Sequence, residues 1–141
     1  MSLIFWDSMI FVYLMEDHAV FAPGVRRLRQ QTLKRADQVC TGALTLGEVL
    51  VSPYENGDTS LISRYRALLS PPVVEVLDFT SAAADHYARI RADRSIARGD
   101  AMQLACAAAA NVDLFLTNDH RLQRKVIPGI QFIGGLDVNV L

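Results

Sequence analysis

Apolar and polar residues along this chain follow two alternating periods. Leu3-Ile4-Phe5-Trp6, Val39-Cys40-Thr41, Val73-Val74-Glu75-Val76-Leu77, Leu114-Phe115-Leu116 and Ile130-Gln131-Phe132-Ile133 are short apolar or β-branched runs. Runs this short do not make helices and fit strands buried on both faces of a parallel sheet. Between them the apolar residues recur at helical spacing. Ile10, Phe11, Leu14 and Met15 follow Ser8 and halt near Glu16-Asp17. Pro23-Gly24 opens a basic helix in which Val25, Leu28 and Leu33 alternate with Arg26, Arg27, Arg29, Lys34 and Arg35. A third helix is expected from Thr45 until Pro53 ends it. Residues 59–69 are amphipathic through Leu61, Ile62, Tyr65 and Leu68, and Pro71-Pro72 breaks them. Residues 80–93 carry Ala83, Tyr87 and Ile90 on one face, and residues 120–125 read as a short helix. Pro128-Gly129 turns into the last strand, and Gly134-Gly135 frees the tail.

The most informative stretch is residues 95–119. Ala101, Leu104, Ala105 and Ala108 share one helical face, and alanine both favours helix and permits close packing. Asn111 suits a left-handed cap, and Leu114-Phe115-Leu116 follows as a strand. Strands alternating with helices predict an α/β domain with a mainly parallel sheet of four or five strands and right-handed crossovers. In such sheets ligands sit outside the carboxyl ends of the strands.

At 141 residues the chain is read as one domain, 1–141, with no repeat or linker. A hydrophobic content of 51% with mean hydropathy of +0.20 predicts a covered sheet plus an apolar patch for a partner. The net charge of −1 gives no global basic field, so nucleic acid must be held by local patches. Asp7, Glu16 and Asp17 interrupt the apolar N-terminus, which argues against a signal peptide or membrane span and for a cytoplasmic protein. Cys40 and Cys106 lack metal or redox spacing and read as buried free thiols. His18, His86 and His120 are unspaced for zinc, although His120 adjoins an acid of interest.

That acid is Asp119, and it has three companions. Asp7 and Asp119 each end a strand and precede a helix, Asp100 begins a helix, and Thr45-x-x-Glu48 matches a capping box. Singly, each has an ordinary reading as a helix cap. Together they would line one edge of a parallel sheet, where two like charges ~4 Å apart repel by ~4 kcal/mol at an effective dielectric of about 20. Such a cluster needs protons or a cation. Oxygen-only ligands without histidine or cysteine suit Mg²⁺ or Mn²⁺, which use carboxylates, waters and substrate phosphate. An ion so held can generate hydroxide and stabilise an in-line phosphoryl displacement.

Four segments carry a family resemblance: Phe5-Trp6-Asp7-Ser8, Thr45-Leu46-Gly47-Glu48-Val49, Asp100-Ala101-Met102-Gln103-Leu104-Ala105 and Leu116-Thr117-Asn118-Asp119. In this order and at these separations the chain resembles PIN-domain ribonucleases, specifically the VapC-type toxins of toxin–antitoxin pairs. The resemblance implies a three-layer α/β/α domain. It implies that Asp7, Glu48, Asp100 and Asp119 form an acidic quartet around Mg²⁺ or Mn²⁺, with Thr117 supporting the last acid. It further implies RNA cleavage leaving a 5′-phosphate, a homodimer, and inhibition by an antitoxin that covers the site. Trp6 and Met9 depart from the family pattern and bear on the shape of the entrance.

Arg98, two residues before Asp100, is the preferred phosphate contact, ahead of Arg26 to Arg35 or Arg89, Arg91 and Arg94. Phe11, Leu14 and Met15 are read as core or dimer seam. Two other functions stand beside the nuclease. One is a catalytically silent PIN-fold binding module. The other is an aspartyl phosphatase with Asp7 as nucleophile, which wants a second acid where Met9 stands. A receiver domain fits less well, because its acceptor ends a middle strand.

Overall fold

The computed structural model describes residues 1–137. Its strands are β1 (Leu3–Trp6), β2 (Gln38–Gly42), β3 (Glu75–Leu77), β4 (Leu114–Leu116) and β5 (Phe132–Gly134). They form one sheet in the order β3-β2-β1-β4-β5, with every neighbouring pair parallel. The helices are α1 (Ser8–Met15), α2 (Ala22–Lys34), α3 (Ala43–Glu55), α4 (Thr59–Leu68), α5 (Ser81–Ile90), α6 (Arg98–Ala109) and α7 (His120–Gln123).

Successive side chains of a strand point to opposite faces, and β1 shows what each face holds. Ile4 and Trp6 join an apolar cluster with Ile10, Phe11, Val25, Leu28 and Tyr65 from the α1–α4 side. Phe5 joins the other cluster, with Ile90 of α5 and Leu104, Ala105 and Ala108 of α6. There it stacks on Phe115, ring centroids 5.0 Å apart and 11° from parallel. The sheet is therefore covered on both sides, giving the expected three layers. α6 is buried nearly all round, from Ala101 through Ala108 except Met102. Alanine makes that possible by removing side-chain bulk. Asn111 follows the C-cap with φ 52°, as its place after the alanine run predicts. Gly129, at φ 98°, lies so close beneath α6 that a Cβ would stand 2.8 Å from the Ala108 carbonyl oxygen.

The chain leaves β1 toward β2 and β3, then crosses to β4 and β5 on the other side. The crevice between β1 and β4 is the sheet's switch point, where ligands of α/β sheets bind.

Several boundaries differ from expectation. α3 starts at Ala43 with Gly42 as N-cap, no side chain capping it, so Thr45-x-x-Glu48 is not a capping box. β2 runs directly into the helix, which places Thr45 and Glu48 one turn inside it on a shared face. Pro53 lies inside α3 and is buried; its missing N–H falls in the last turn, and the helix runs only two residues further. β3 is shorter than the Val73–Leu77 run, α5 ends at Ile90, and β5 begins two residues after Ile130 and includes Gly134. The far end of the tail lies outside the described residues. Cys40 and Cys106 are buried free thiols, and burial pushes both up, Cys106 to about 11. Among the described residues no helix is long and apolar enough to cross a membrane.

Candidate active site

Asp7 stands immediately beyond β1, and its N–H donates to the Leu116 carbonyl of β4 at 2.9 Å, fixing it in the crevice. It is the extended N-cap of α1, and its Oδ1 accepts from the Ser8 N–H at 2.8 Å. Its Oδ2 accepts from the Thr117 hydroxyl, also at 2.8 Å. The same Thr117 oxygen accepts from the Asp119 N–H at 3.1 Å. Thr117 is wholly buried. The resemblance assigned it to the last acid; in the structure its hydroxyl proton goes to the first acid and its lone pair to the backbone of the last.

Asp119 is the N-cap of α7, accepting from the Arg121 N–H at 2.9 Å, while the Arg121 guanidinium lies 3.4 Å from its Oδ2. Asp100 lies in the first turn of α6, but the N-cap is Ala97 and Asp100 caps nothing. Glu48 sits at the rim of the crevice. Its Oε1 accepts from Gln103 Nε2 at 2.6 Å, and the same nitrogen donates to Thr45 Oγ1 at 2.7 Å. Gln103 is 2% exposed, and its Oε1 has no hydrogen-bond partner. α6 thus delivers Asp100 from its first turn and the residue that grips Glu48 from its second.

The charges of the four acids reach one another. Asp7 is raised above the ordinary carboxylate range mainly by burial, against hydrogen bonds from Thr117 and Ser8, with Asp119 adding repulsion. Glu48 is raised by burial, opposed by Gln103, and pushed further by Asp7 and Asp100. Asp100 is raised by burial and then by Asp7 and Asp119, with Arg121 opposing. Asp119 goes the other way: burial is the largest single influence and lifts it, but the Arg121 side chain and the backbone N–H groups of Arg121 and Leu122 together hold it below the ordinary range. Of the capping readings, those for Asp7 and Asp119 hold alongside this coupling. Those for Asp100 and Glu48 do not.

An all-oxygen donor set with mutual repulsion suits a hard divalent cation. Among the described residues no three acids, histidines or cysteines stand close enough to form a complete ligand cluster. Mg²⁺ keeps several waters and commonly takes only one or two carboxylates directly, so the donors present fit such an ion with water completing its shell.

Arg98 is exposed on the first residue of α6, on the Asp100 side, and makes no ion pair among the described residues. His120 is exposed at the start of α7. Trp6 does not shape the entrance: it is buried against Phe11, centroids 5.1 Å apart. Met9 remains 47% exposed beside Asp7. Sequence reasoning assigned no role to Gln103 or Arg121. Gln103 is a lone amide within an otherwise small and apolar run three residues after Asp100, and Arg121 lies two residues after Asp119. Those spacings were the available signals.

A family model for the PIN domain matches residues 4–127. No curated protein matches the chain. Among solved structures, VapBC2 from Rickettsia felis bound to a promoter DNA fragment superposes with a TM-score of 0.71 at 18% identity, covering 94% of this chain and 98% of that one. DNA-bound VapBC from Salmonella typhimurium gives 0.69 at 22% identity, covering 96% and 99%. VapBC-5 from Mycobacterium tuberculosis, a toxin–antitoxin system, gives 0.62 at 20% identity, covering 94% and 98%. The fold is common to all of these, and the match of the family model over most of the chain, four acids included, shows that the protein belongs to the PIN-domain family.

Proposed function

We propose that this protein is a metal-dependent endoribonuclease and the toxin of a toxin–antitoxin pair. The observation that carries the reading is the gathering of Asp7, Glu48, Asp100 and Asp119 at the β1–β4 crevice of a PIN domain, each electrostatically coupled to others of the set. Asp7, Glu48, Asp100 and Asp119 are the residues that would hold Mg²⁺ or Mn²⁺. When bound, such an ion supplies an acidified water and neutralises charge on phosphate oxygens. The chain's own part is to keep the oxygens ionised and oriented. Thr117 and Ser8 fix both oxygens of Asp7, and Gln103 fixes one oxygen of Glu48. Arg98 and Arg121 are exposed cations at the helix starts beside Asp100 and Asp119, suited to a phosphate of the RNA strand. Met9 stands where an aspartyl phosphatase wants its second acid, which argues against that reading.

The antitoxin reading draws on a groove of about 360 Å³ walled by Leu14, Met15 and Leu68 and bordered by Arg29 and Arg64. Its chemistry suits an apolar segment carrying acidic residues. Exposed Val51 and Tyr54 on α3 offer apolar surface for a second copy, in keeping with a homodimer.

The purified protein should cleave single-stranded RNA in Mg²⁺ or Mn²⁺, leave 5′-phosphate ends, and stop in chelator. Asp7→Asn and Asp100→Asn should abolish the cleavage. Cleavage that continues in excess chelator would overturn the mechanism. For the toxin role, expression alone should arrest growth, and a small protein encoded beside it should relieve the arrest. Growth unaffected by an active nuclease would remove that role.

A further inference from the structure

A second cavity of about 360 Å³ lies outside the acidic crevice, between the end of α5 and the segment after α7. Its floor is aliphatic: Ile90, Ile96 and Ile127 are all at least nine-tenths buried. Its rim is cationic, with Arg89, Arg124 and Lys125. Arg89 is engaged by Asp85, and Lys125 by Asp93 and Ser95 at 2.8 and 2.7 Å. Arg124 is exposed and has no ion-pair partner among the described residues. Arg91 ties the turn into place by donating to the Ile96 carbonyl at 2.7 Å.

Two short stretches of chain connect the cavity to the acids. Asp119 is the N-cap of α7 and Arg124 its C-cap, a rise of only ~8 Å at ~1.5 Å per residue. Ile96 on the floor precedes Arg98 by two residues and Asp100 by four. An aliphatic floor with cations on its rim, set one short helix from the proposed cleavage centre, suits a phosphate-bearing unit with a flat, weakly polar body.

We propose that this cavity is a subsite for one nucleotide of single-stranded RNA flanking the scissile bond. Arg124 meets its phosphate, and the base lies on the isoleucine floor. The proposal rests on the nuclease reading above. Asp93 is a restraint within it: its carboxylate occupies Lys125 and places a negative charge on the rim.

The test is binding of a fluorescein-labelled single-stranded RNA of about 12 nucleotides to the full chain in chelator, by anisotropy across a salt series. Arg124→Ala should weaken binding and flatten the slope of log K against log salt by ~0.7, the value for one phosphate on a single strand. Asp93→Asn should do the opposite, tightening binding and steepening the slope, because Lys125 is released and a repelling charge removed. If both variants bind like wild type at every salt concentration, the subsite is wrong. If they alter binding of inorganic phosphate but not of RNA, the cavity takes a free anion and the RNA subsite is likewise overturned. The two readings separate cleanly. RNA binding that follows Arg124 and Asp93 without any metal-dependent cleavage sinks the nuclease, leaves the cavity an RNA contact, and overturns its place beside a scissile bond. Cleavage that depends on Asp7 and Asp100, with binding indifferent to Arg124 and Asp93, does the reverse.

Discussion

Gln103→Met tests whether the buried amide exists to position Glu48. Methionine keeps the length and apolar packing of the side chain but removes both donors. Gln103 Nε2 donates to Thr45 Oγ1 and Glu48 Oε1, and its own Oε1 is buried without a partner. The lost bond to Thr45 is worth about 1 kcal/mol and the bond to Glu48 about as much once solvent at the exposed carboxylate is allowed for. Removing the orphaned Oε1 returns ~1 kcal/mol or more. Thr45 can turn its hydroxyl onto a carbonyl of the preceding turn. The net cost is therefore about 1 kcal/mol, a fall in melting temperature of roughly 3–5 °C for a chain of this size. Activity should suffer far more, by roughly 10–100-fold, the usual effect of losing a residue that orients a metal-binding acid. Gln103 also opposes the burial that raises Glu48, so in the variant Glu48 rises further and the acid limb of the pH–rate profile moves to higher pH. Thr45→Val is the control. It removes the other acceptor and costs similar stability, while Gln103 still holds Glu48, so activity and profile should stay near wild type. Turnover within about twofold of wild type in Gln103→Met, with an unmoved acid limb, refutes the positioning role, whatever the melting temperature does.

Glu48→Gln should leave the melting temperature within ~0.5 kcal/mol equivalents of wild type, since Glu48 caps nothing and glutamine still accepts from Gln103, yet most RNA cleavage should be lost; full turnover would reduce Glu48 to a surface residue. Asp7→Asn and Asp100→Asn should melt higher than wild type in chelator and gain less from Mg²⁺, because each removes a repelling charge and part of the ion's binding energy. Equal metal-induced shifts in all three proteins would dismiss the coupled-acid reading. In chelator the pH dependence of stability should carry the same signature. Asp7, Glu48 and Asp100 are raised in the fold, so their contribution is complete below the ordinary carboxylate values and drains away as pH rises through the folded ones. Asp119, lowered, contributes above its ordinary value and loses this as pH falls below it. The melting temperature should therefore climb as pH falls through the raised folded values toward the ordinary carboxylate range, less so in Asp7→Asn; a steady decline over that range contradicts the shifts.

The strands, the helices and the acids were legible because each rests on a local signal. Leu3-Ile4-Phe5-Trp6 and Leu114-Phe115-Leu116 are apolar without interruption, as strands covered on both faces must be. Asp7 and Asp119 follow them directly. The boundaries that moved are those where tertiary packing overrode the local cue. Thr45-x-x-Glu48 has the pattern of a cap, but β2 passes straight into α3 and Gly42 takes that place. Pro53 reads as a stop, yet lies buried in the last turn. The Gln103–Glu48 contact joins residues 55 apart in the chain, and Thr117–Asp7 joins residues 110 apart. No periodicity encodes such pairs. They appear only when the sheet order sets β4 beside β1 and lays α6 across β2 and α3.

The donors around the acids show what the fold does at this edge. Burial pushes each carboxyl toward its neutral form, in which a carboxyl oxygen makes a poor ligand for a hard cation. Against that push Asp7 has the Ser8 N–H and the Thr117 hydroxyl, Glu48 has the Gln103 amide, and Asp119 has Arg121. Each of these donors favours the ionised form. Asp100 has no such donor: among the described residues no hydrogen bond reaches its side chain, and only the Arg121 charge opposes burial and the repulsion of Asp7 and Asp119. It is therefore the acid of the four with no donor of its own to hold its charge. Asp7, locked on both oxygens, is the fixed point of the crevice, and Asp100 is the member whose carboxylate no hydrogen bond among the described residues engages.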